Sequence, residues 1–152
     1  MNSQTLYIVR GLPGSGKSTR AALLPNVTCL AADDAFVGAD GVYRFNPKEL
    51  KAAHADCLAK ATAILAAGHS VAVANTFTQR WEMGPYITAA TWAGARLEVI
   101  EPLHGFDGGK SNAELAARNI HGVPEASIAA MRLRWEIDWK TGGKHTVCSP
   151  RI

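Results

Sequence analysis

Residues Gly11-Leu-Pro-Gly-Ser-Gly-Lys-Ser-Thr19 carry the groups needed to hold a polyphosphate. The first eight match G-x-x-x-x-G-K-[ST] in full. Gly11, Gly14 and Gly16 let the chain curl with its amides facing inward, so that backbone N–H groups cradle phosphate oxygens. A helix starting near Lys17 would turn its positive end toward the same anion. Lys17 is then placed to reach the β- and γ-phosphates of a nucleoside triphosphate, and the Ser18 hydroxyl to ligate magnesium. Pro13, Ser15 and Thr19 complete the loop.

Such a cradle alone does not separate a kinase from a GTPase or a motor ATPase. The pair Asp33 and Asp34 narrows the choice, because it follows a short apolar run, Val27 to Ala31. Loops at the C-terminal ends of parallel strands border the active cleft. A carboxylate there can orient an acceptor hydroxyl and take its proton as the bond to phosphorus forms. Position alone serves a solvated turn or a helix cap equally well.

The elements that must hold these residues are legible from periodicity. Leu6 to Arg10, Val27 to Ala31, Ser70 to Ala74 and Leu97 to Ile100 read as buried strands. Pro47 to Ala67 reads as a helix, capped by Asn46 with Glu49 completing a capping box and Gly68 as its stop. Leu50, His54, Cys57, Ala61, Ile64 and Leu65 would form its inner face, with His54 packed and hydrogen-bonded. Further helices are expected over Trp81 to Ala93, from Ser111 to about Asn119 behind a second capping box, and from Pro124 to about Trp135. Strands alternating with helices imply right-handed crossovers and a parallel sheet. The expected fold is a three-layer α/β sandwich of P-loop NTPase or kinase type, one domain over residues 1–152 with a helical lid at about 105–123. The tail from Ile137 to Ile152 suggests an edge strand near Thr146 to Cys148.

Composition fits a soluble globular domain: 152 residues, 47% apolar, 19% charged, formal charge +3. That charge permits a polyanionic partner without demanding one. No apolar stretch approaches the roughly 20 residues of a membrane span, and no signal peptide is evident, so a cytoplasmic location is expected, a host's if the protein is viral. Cys29, Cys57 and Cys148 lie in no metal-ligand or disulfide pattern and read as buried free thiols.

Beyond single motifs, the chain resembles the polynucleotide kinase branch of the P-loop kinases, phage DNA kinases included. The matching pieces are GLPGSGKST, AADDAF, AHADC, VANT with WEMGPY, and ARNIHGVP with IAAMRLRWE, collinear from the first strand to about Glu136. The resemblance implies Mg-ATP as donor and a nucleic-acid hydroxyl as acceptor, with DNA the first candidate. It implies that Asp33 is the general base, that Asn75 and Thr76 line the acceptor side with Asp34, and that Arg118 closes from a lid over the nucleotide phosphates. His121 and Gly122 would belong to the lid turn. Lys17, Asp33 and Arg118 are thus the expected catalytic set.

Two positions depart from the family. Where an arginine usually grips a backbone phosphate, three residues after the base, the chain has Phe36, which could stack on a base. The Asn-Thr pair is flanked by Ala74 and Phe77 in place of an acid and an asparagine. The commonest family reaction is phosphorylation of a 5′-hydroxyl end. The altered acceptor side also admits a hydroxymethyl group on a modified base, turned out of the stack onto Phe36 or Phe77. A small-molecule kinase for a nucleoside, sugar or antibiotic is the third reading. A nucleotide-binding switch is disfavoured because Lys17 and Asp33 are both present.

The remaining candidates read as ordinary structure. Tyr43 and Arg80 lie in loops that could reach the substrate, with a solvated loop the favoured reading; His69, His104 and His145 share no ligand spacing, and Trp135 and Trp139 suit a core covering at a helix end. Arg132 and Arg134 suit a solvated face, and Gly105 to Gly109 suits a flexible hinge before the lid helix.

Overall fold

The computed structural model describes residues 4–137. Strands β1 (Thr5–Arg10), β2 (Thr28–Leu30), β3 (Val71–Asn75) and β4 (Arg96–Ile100) form one parallel sheet in the order β2-β3-β1-β4. Interleaved with them are helices α1 (Lys17–Ala22), α2 (Leu50–Ala66) and α3 (Arg80–Ala93), followed by α4 (Asn112–Arg118) and α5 (Glu125–Arg134). The registers Leu6↔Val71 and Leu6↔Leu97 put β1 at the centre, between β3 and β4.

Alternation along β1 and β3 divides the core between the two faces. Leu6, Ile8, Val71 and Val73 pack against Cys57, Ala61 and Leu65 of α2 and Met83, Tyr86 and Ala90 of α3. On the other face Val9 and Ala74 meet Ala21 of α1. Helices therefore cover both faces, and the three-layer α/β sandwich expected from the sequence is the fold. A third cluster, Leu12, Leu115, Ile128 and Trp135, joins the phosphate loop to α4 and α5. Helices α4 and α5 thus stand on a cluster of their own at the C-terminal edge of the sheet. Among the described residues no helix is long and apolar enough to cross a membrane.

Several local expectations change. Asn46 accepts from the Lys48 amide at 3.0 Å, but its segment first winds as a tight 3₁₀ turn, Pro47–Glu49, and Glu49 makes no return bond. On α2 the buried stripe is Ala53, Cys57, Ala61 and Leu65; His54, one residue off it, is exposed. Cys57 is buried as expected, whereas Cys29 is exposed because β2 is an edge strand paired only with β3. The second capping box forms as expected, with the Glu114 amide donating to Ser111 Oγ and the Ser111 amide to Glu114 Oε1. Trp139, His145, Cys148 and the suggested edge strand near Thr146 to Cys148 lie outside the described residues.

The glycine-rich stretch before α4 is not a hinge but a packed turn. The Leu12 amide donates to the Phe106 carbonyl at 2.8 Å, and the Phe106 ring stacks on Trp135 at 4.7 Å. Gly108, at φ 65°, lies so close to the phosphate loop that a Cβ would sit 2.6 Å from the Ser15 carbonyl oxygen. Arg132 is no surface charge: its guanidinium donates to Asp107 Oδ2 (2.7 Å), Asn112 Oδ1 (2.8 Å) and the Lys110 carbonyl (2.9 Å), clamping this turn to the start of α4.

Trp135, 1% exposed, stacks on Phe106 and shares a core cluster with Leu12, Leu115 and Ile128. Trp135→Ala should lower stability by about 3–5 kcal/mol, the range for truncating a large buried aromatic. Urea unfolding checks this, with a shifted midpoint at nearly constant slope as the expected form.

Candidate active site

The phosphate loop leaves β1 at Gly11 and enters α1 at Lys17. Its glycines are required by space and by backbone angle. A Cβ on Gly11 would meet Ser15 Oγ at 2.6 Å, and one on Gly14 (φ 79°) would meet the Leu115 carbonyl oxygen at 2.7 Å. Gly16 caps α1 at φ 103°, in the left-handed region. Inside the loop Ser15 Oγ is buried and lacks a protein partner among the described residues. The Lys17 ammonium donates to the Leu12 carbonyl at 3.1 Å. Burial pulls its pKa from 10.5 down to about 8 against the attraction of Asp33. A half-buried cation with a single neutral acceptor, a spare hydroxyl and a glycine-lined bend fit an incoming phosphate chain. Ser18 and Thr19 are exposed at the mouth, and buried Pro13 stiffens the bend.

Both aspartates sit in the 3₁₀ turn Ala32–Phe36 after β2, and the structure gives them different work. Asp34 Oδ2 accepts from the Ala31 amide at 3.0 Å, so this carboxylate caps its own turn. Asp33 is half-buried and faces the site, where its charge acts on Lys17. Asn75, at the end of β3, accepts the Ala32 amide on Oδ1 at 2.9 Å and so fixes the turn to the sheet. Asn75 is therefore a support for the acidic turn, and Thr76 follows it half-buried. Phe36 is 5% exposed, packed edge-on against Phe45 (5.1 Å) and Tyr43 (6.1 Å). Phe77 is 3% exposed and packs edge-on against Tyr86. Neither ring presents a face for a base, so the stacking expected of Phe36 and Phe77 is corrected.

Arg118, the last residue of α4, donates from Nε to the Gly14 carbonyl at 3.2 Å and is otherwise exposed above the phosphate loop. The next residue, Asn119, locks the turn that follows. Its amide donates to the Leu115, Ala116 and Val123 carbonyls at 3.0–3.1 Å, and its Oδ1 accepts the Val123 amide at 2.7 Å. That turn delivers His121 to Asp33, with Nδ1 3.0 Å from Oδ2. Tyr43, read from sequence as a loop residue, donates its hydroxyl to Asp33 Oδ1 at 3.1 Å and stacks on His121 at 4.4 Å. Burial and the Asp33 charge push that phenol up to about 12. The signal for Tyr43 was the Val37–Tyr43 pairing around Gly41, too short to read as a hairpin.

A second residue that pattern reading passes over is Arg10. It ends β1 at 1% exposure, donating to the Phe77 (3.0 Å) and Thr78 (3.3 Å) carbonyls with its guanidinium 4.0 Å above the Trp135 ring. Burial lowers its pKa to about 10, opposed by Glu101, Glu136 and Glu82. Arg80, also read as a loop residue, is the first residue of α3, and its amide donates to Glu136 Oε1.

A glycine cradle between strand and helix, a half-buried lysine within it and a carboxylate in the turn after β2 define a P-loop phosphoryl-handling fold. The chain belongs to the family described as AAA domain (AAA_33), a P-loop kinase family, which it matches over residues 6–136. Over 131 residues it is 36% identical to NEDD4-binding protein 2 of Homo sapiens, a match covering 83% of this chain and 7% of that protein. Among solved structures it is similar to a chain of the Pnkp1/Rnl/Hen1 RNA repair complex, with TM-score 0.66, 21% identity, 86% of this chain and 43% of that one. It is also similar to a gluconokinase from Sinorhizobium meliloti 1021, with TM-score 0.52, 19% identity, 98% of this chain and 85% of that one. Both likenesses are likenesses of fold.

With its pKa near 8, Lys17 is partly neutral at mildly alkaline pH, and a bound phosphate chain restores the charge. Nucleotide binding should therefore take up a proton between about pH 8 and 9, and affinity should fall as pH rises through that window. Calorimetry in buffers of different ionisation enthalpy measures the uptake, and Lys17→Arg should remove it.

Proposed function

We propose that the chain is an ATP-dependent kinase that transfers the γ-phosphate to a hydroxyl of a nucleic acid. The observation that carries this reading is the division of labour in the acidic turn: Asp34 is spent on the backbone, while Asp33 faces Lys17. The polynucleotide-kinase-like motifs and the likeness to a chain of an RNA repair complex support a nucleic-acid acceptor.

The phosphate loop amides and Lys17 would hold the β- and γ-phosphates in place. Asp33 would accept the proton of the acceptor hydroxyl as its oxygen bonds to the γ-phosphorus and the bond to the β-phosphate bridging oxygen breaks, releasing ADP. Arg118, over Gly14, would offset charge on the transferring group. Among the described residues no cluster of three or more His, Cys, Asp or Glu could hold a metal alone. Magnesium would be held by Ser18, at the motif's Ser/Thr position, and by the phosphates, and would neutralise charge on the β- and γ-oxygens.

A 5′-hydroxyl end is the leading acceptor. One observation favours a second acceptor, a hydroxymethyl group on a base. Phe36 occupies the family's phosphate-gripping position and is turned inward, leaving no cation there for a backbone phosphate.

Lys17→Ala should abolish transfer, and Asp33→Asn should cut turnover at least ~100-fold while nucleotide still binds. The acceptor is read by supplying γ-labelled ATP with a 5′-hydroxyl oligonucleotide, an end-blocked oligonucleotide carrying internal 5-hydroxymethyluracil, and a pool of nucleosides and metabolites. Label on the first supports the leading reading and label on the second alone the alternative; label on the third alone overturns a nucleic-acid acceptor.

A further inference from the structure

Asp33 has no free oxygen in this structure. Tyr43 Oη donates to Oδ1 at 3.1 Å and His121 Nδ1 lies 3.0 Å from Oδ2, while the two donors' rings stack at 4.4 Å and 26°. An alcohol about to be phosphorylated must present its O–H to the base in the same sense that Tyr43 does, donor hydroxyl to carboxylate oxygen. The phenol therefore stands where the acceptor hydroxyl has to go.

The two sides of this clasp are built differently. His121 hangs from the turn that Asn119 locks with four hydrogen bonds, and it lies three residues from Arg118 on the phosphate loop. Tyr43 sits on a loop closed by the Val37–Tyr43 bridge and by two backbone bonds, Gly38 to Val42 (3.0 Å) and Arg44 to Phe36 (2.8 Å). That loop is mostly exposed, Val42 included at 46%. Tyr43 is thus carried on an exposed loop, whereas His121 is carried on a turn braced to α4.

We infer that His121 and Tyr43 are positioning residues for Asp33: His121 fixes the carboxylate through Oδ2, and Tyr43 reserves Oδ1 until an acceptor hydroxyl displaces it. The inference rests on Asp33 being the base, as proposed above. Its consequence is discrimination against water. A base able to take a proton from an alcohol can take one from water, and a kinase whose base stays uncovered hydrolyses its donor. With Tyr43 on Oδ1, a water must compete with a held donor for that oxygen, while an acceptor anchored elsewhere on the protein can displace it.

The Tyr43 arm of the test needs no knowledge of the acceptor, because it reads ADP release from Mg-ATP alone; the transfer arms use whichever acceptor takes the label. Tyr43→Phe keeps the ring on His121 and removes only the hydroxyl. It should raise acceptor-independent hydrolysis about tenfold, a fraction of what a positioned base contributes. Adding Asp33→Asn to Tyr43→Phe should return hydrolysis to background. His121→Ala should lower kcat for transfer, and His121→Asn, which retains a donor, should recover part of the loss. Hydrolysis in Tyr43→Phe equal to that of the parent, with Asp33→Asn still abolishing transfer, overturns the inference and leaves the base assignment intact. Full transfer by Asp33→Asn removes the base assignment and this inference with it. Phosphate found on Tyr43 by mass spectrometry after incubation with Mg-ATP would make the phenol an acceptor, and also overturns the inference.

Discussion

The architecture is organised around a positive charge that has nowhere to go. Arg10 ends the central strand at 1% exposure, and a buried guanidinium is tolerated only when its donors and its charge are met from several sides. Two carbonyls just beyond β3 meet the donors, one of them on Phe77, which turns to φ 45°. The Trp135 ring at the end of α5 covers the cation, and Glu101, Glu136 and Glu82 surround it electrostatically. Satisfying one side chain thus draws the ends of β1, β3 and β4 and the last turn of α5 to one point. The phosphate loop begins at the next residue, so the cradle hangs from this junction.

From that junction the donor and acceptor sides are kept in register by a single short turn. Residues 118 to 123 touch the cradle through Arg118 and the acidic turn through His121, with Asn119 as the internal brace. The near-contacts of Gly14 with Leu115 and of Gly108 with Ser15 make the lid and the cradle one packed unit. Charge follows the same plan. Lys17 sits inside the cradle, cationic at neutral pH yet close to losing its proton, and Asp33 across the cleft is the carboxylate that steadies it.

Legibility from sequence followed how local the physics was. The cradle, the four strands and the Ser111–Glu114 box depend on residues adjacent in sequence or a fixed few apart, and each stands where pattern and capping chemistry put it. The division between Asp33 and Asp34 was not legible, since both suit a strand-end turn. It is decided by Ala31 and Asn75, one neighbouring and one a strand away. His54 was misplaced by one helical position, because an alanine-rich helix carries a weak amphipathic signal and Ala53 is as good a core residue. The contacts that Tyr43, His121 and Arg10 make were hidden for a stronger reason. Their partners lie in other elements, and no spacing rule connects a phenol in one loop to an imidazole in another. The hinge assigned to Gly105–Gly109 failed because glycine there serves close packing on Ser15, a use that composition does not distinguish from freedom of movement.

The inward turn of Phe36 also limits what this position can become. Its ring is the middle member of an aromatic group whose other rings, Tyr43 and Phe45, shape the loop over the acidic turn. An arginine restored at this position would meet those rings from inside and would have to force its way out before it could face a substrate. The loop is packed around a phenylalanine, so putting a cation at this position takes more than a single exchange.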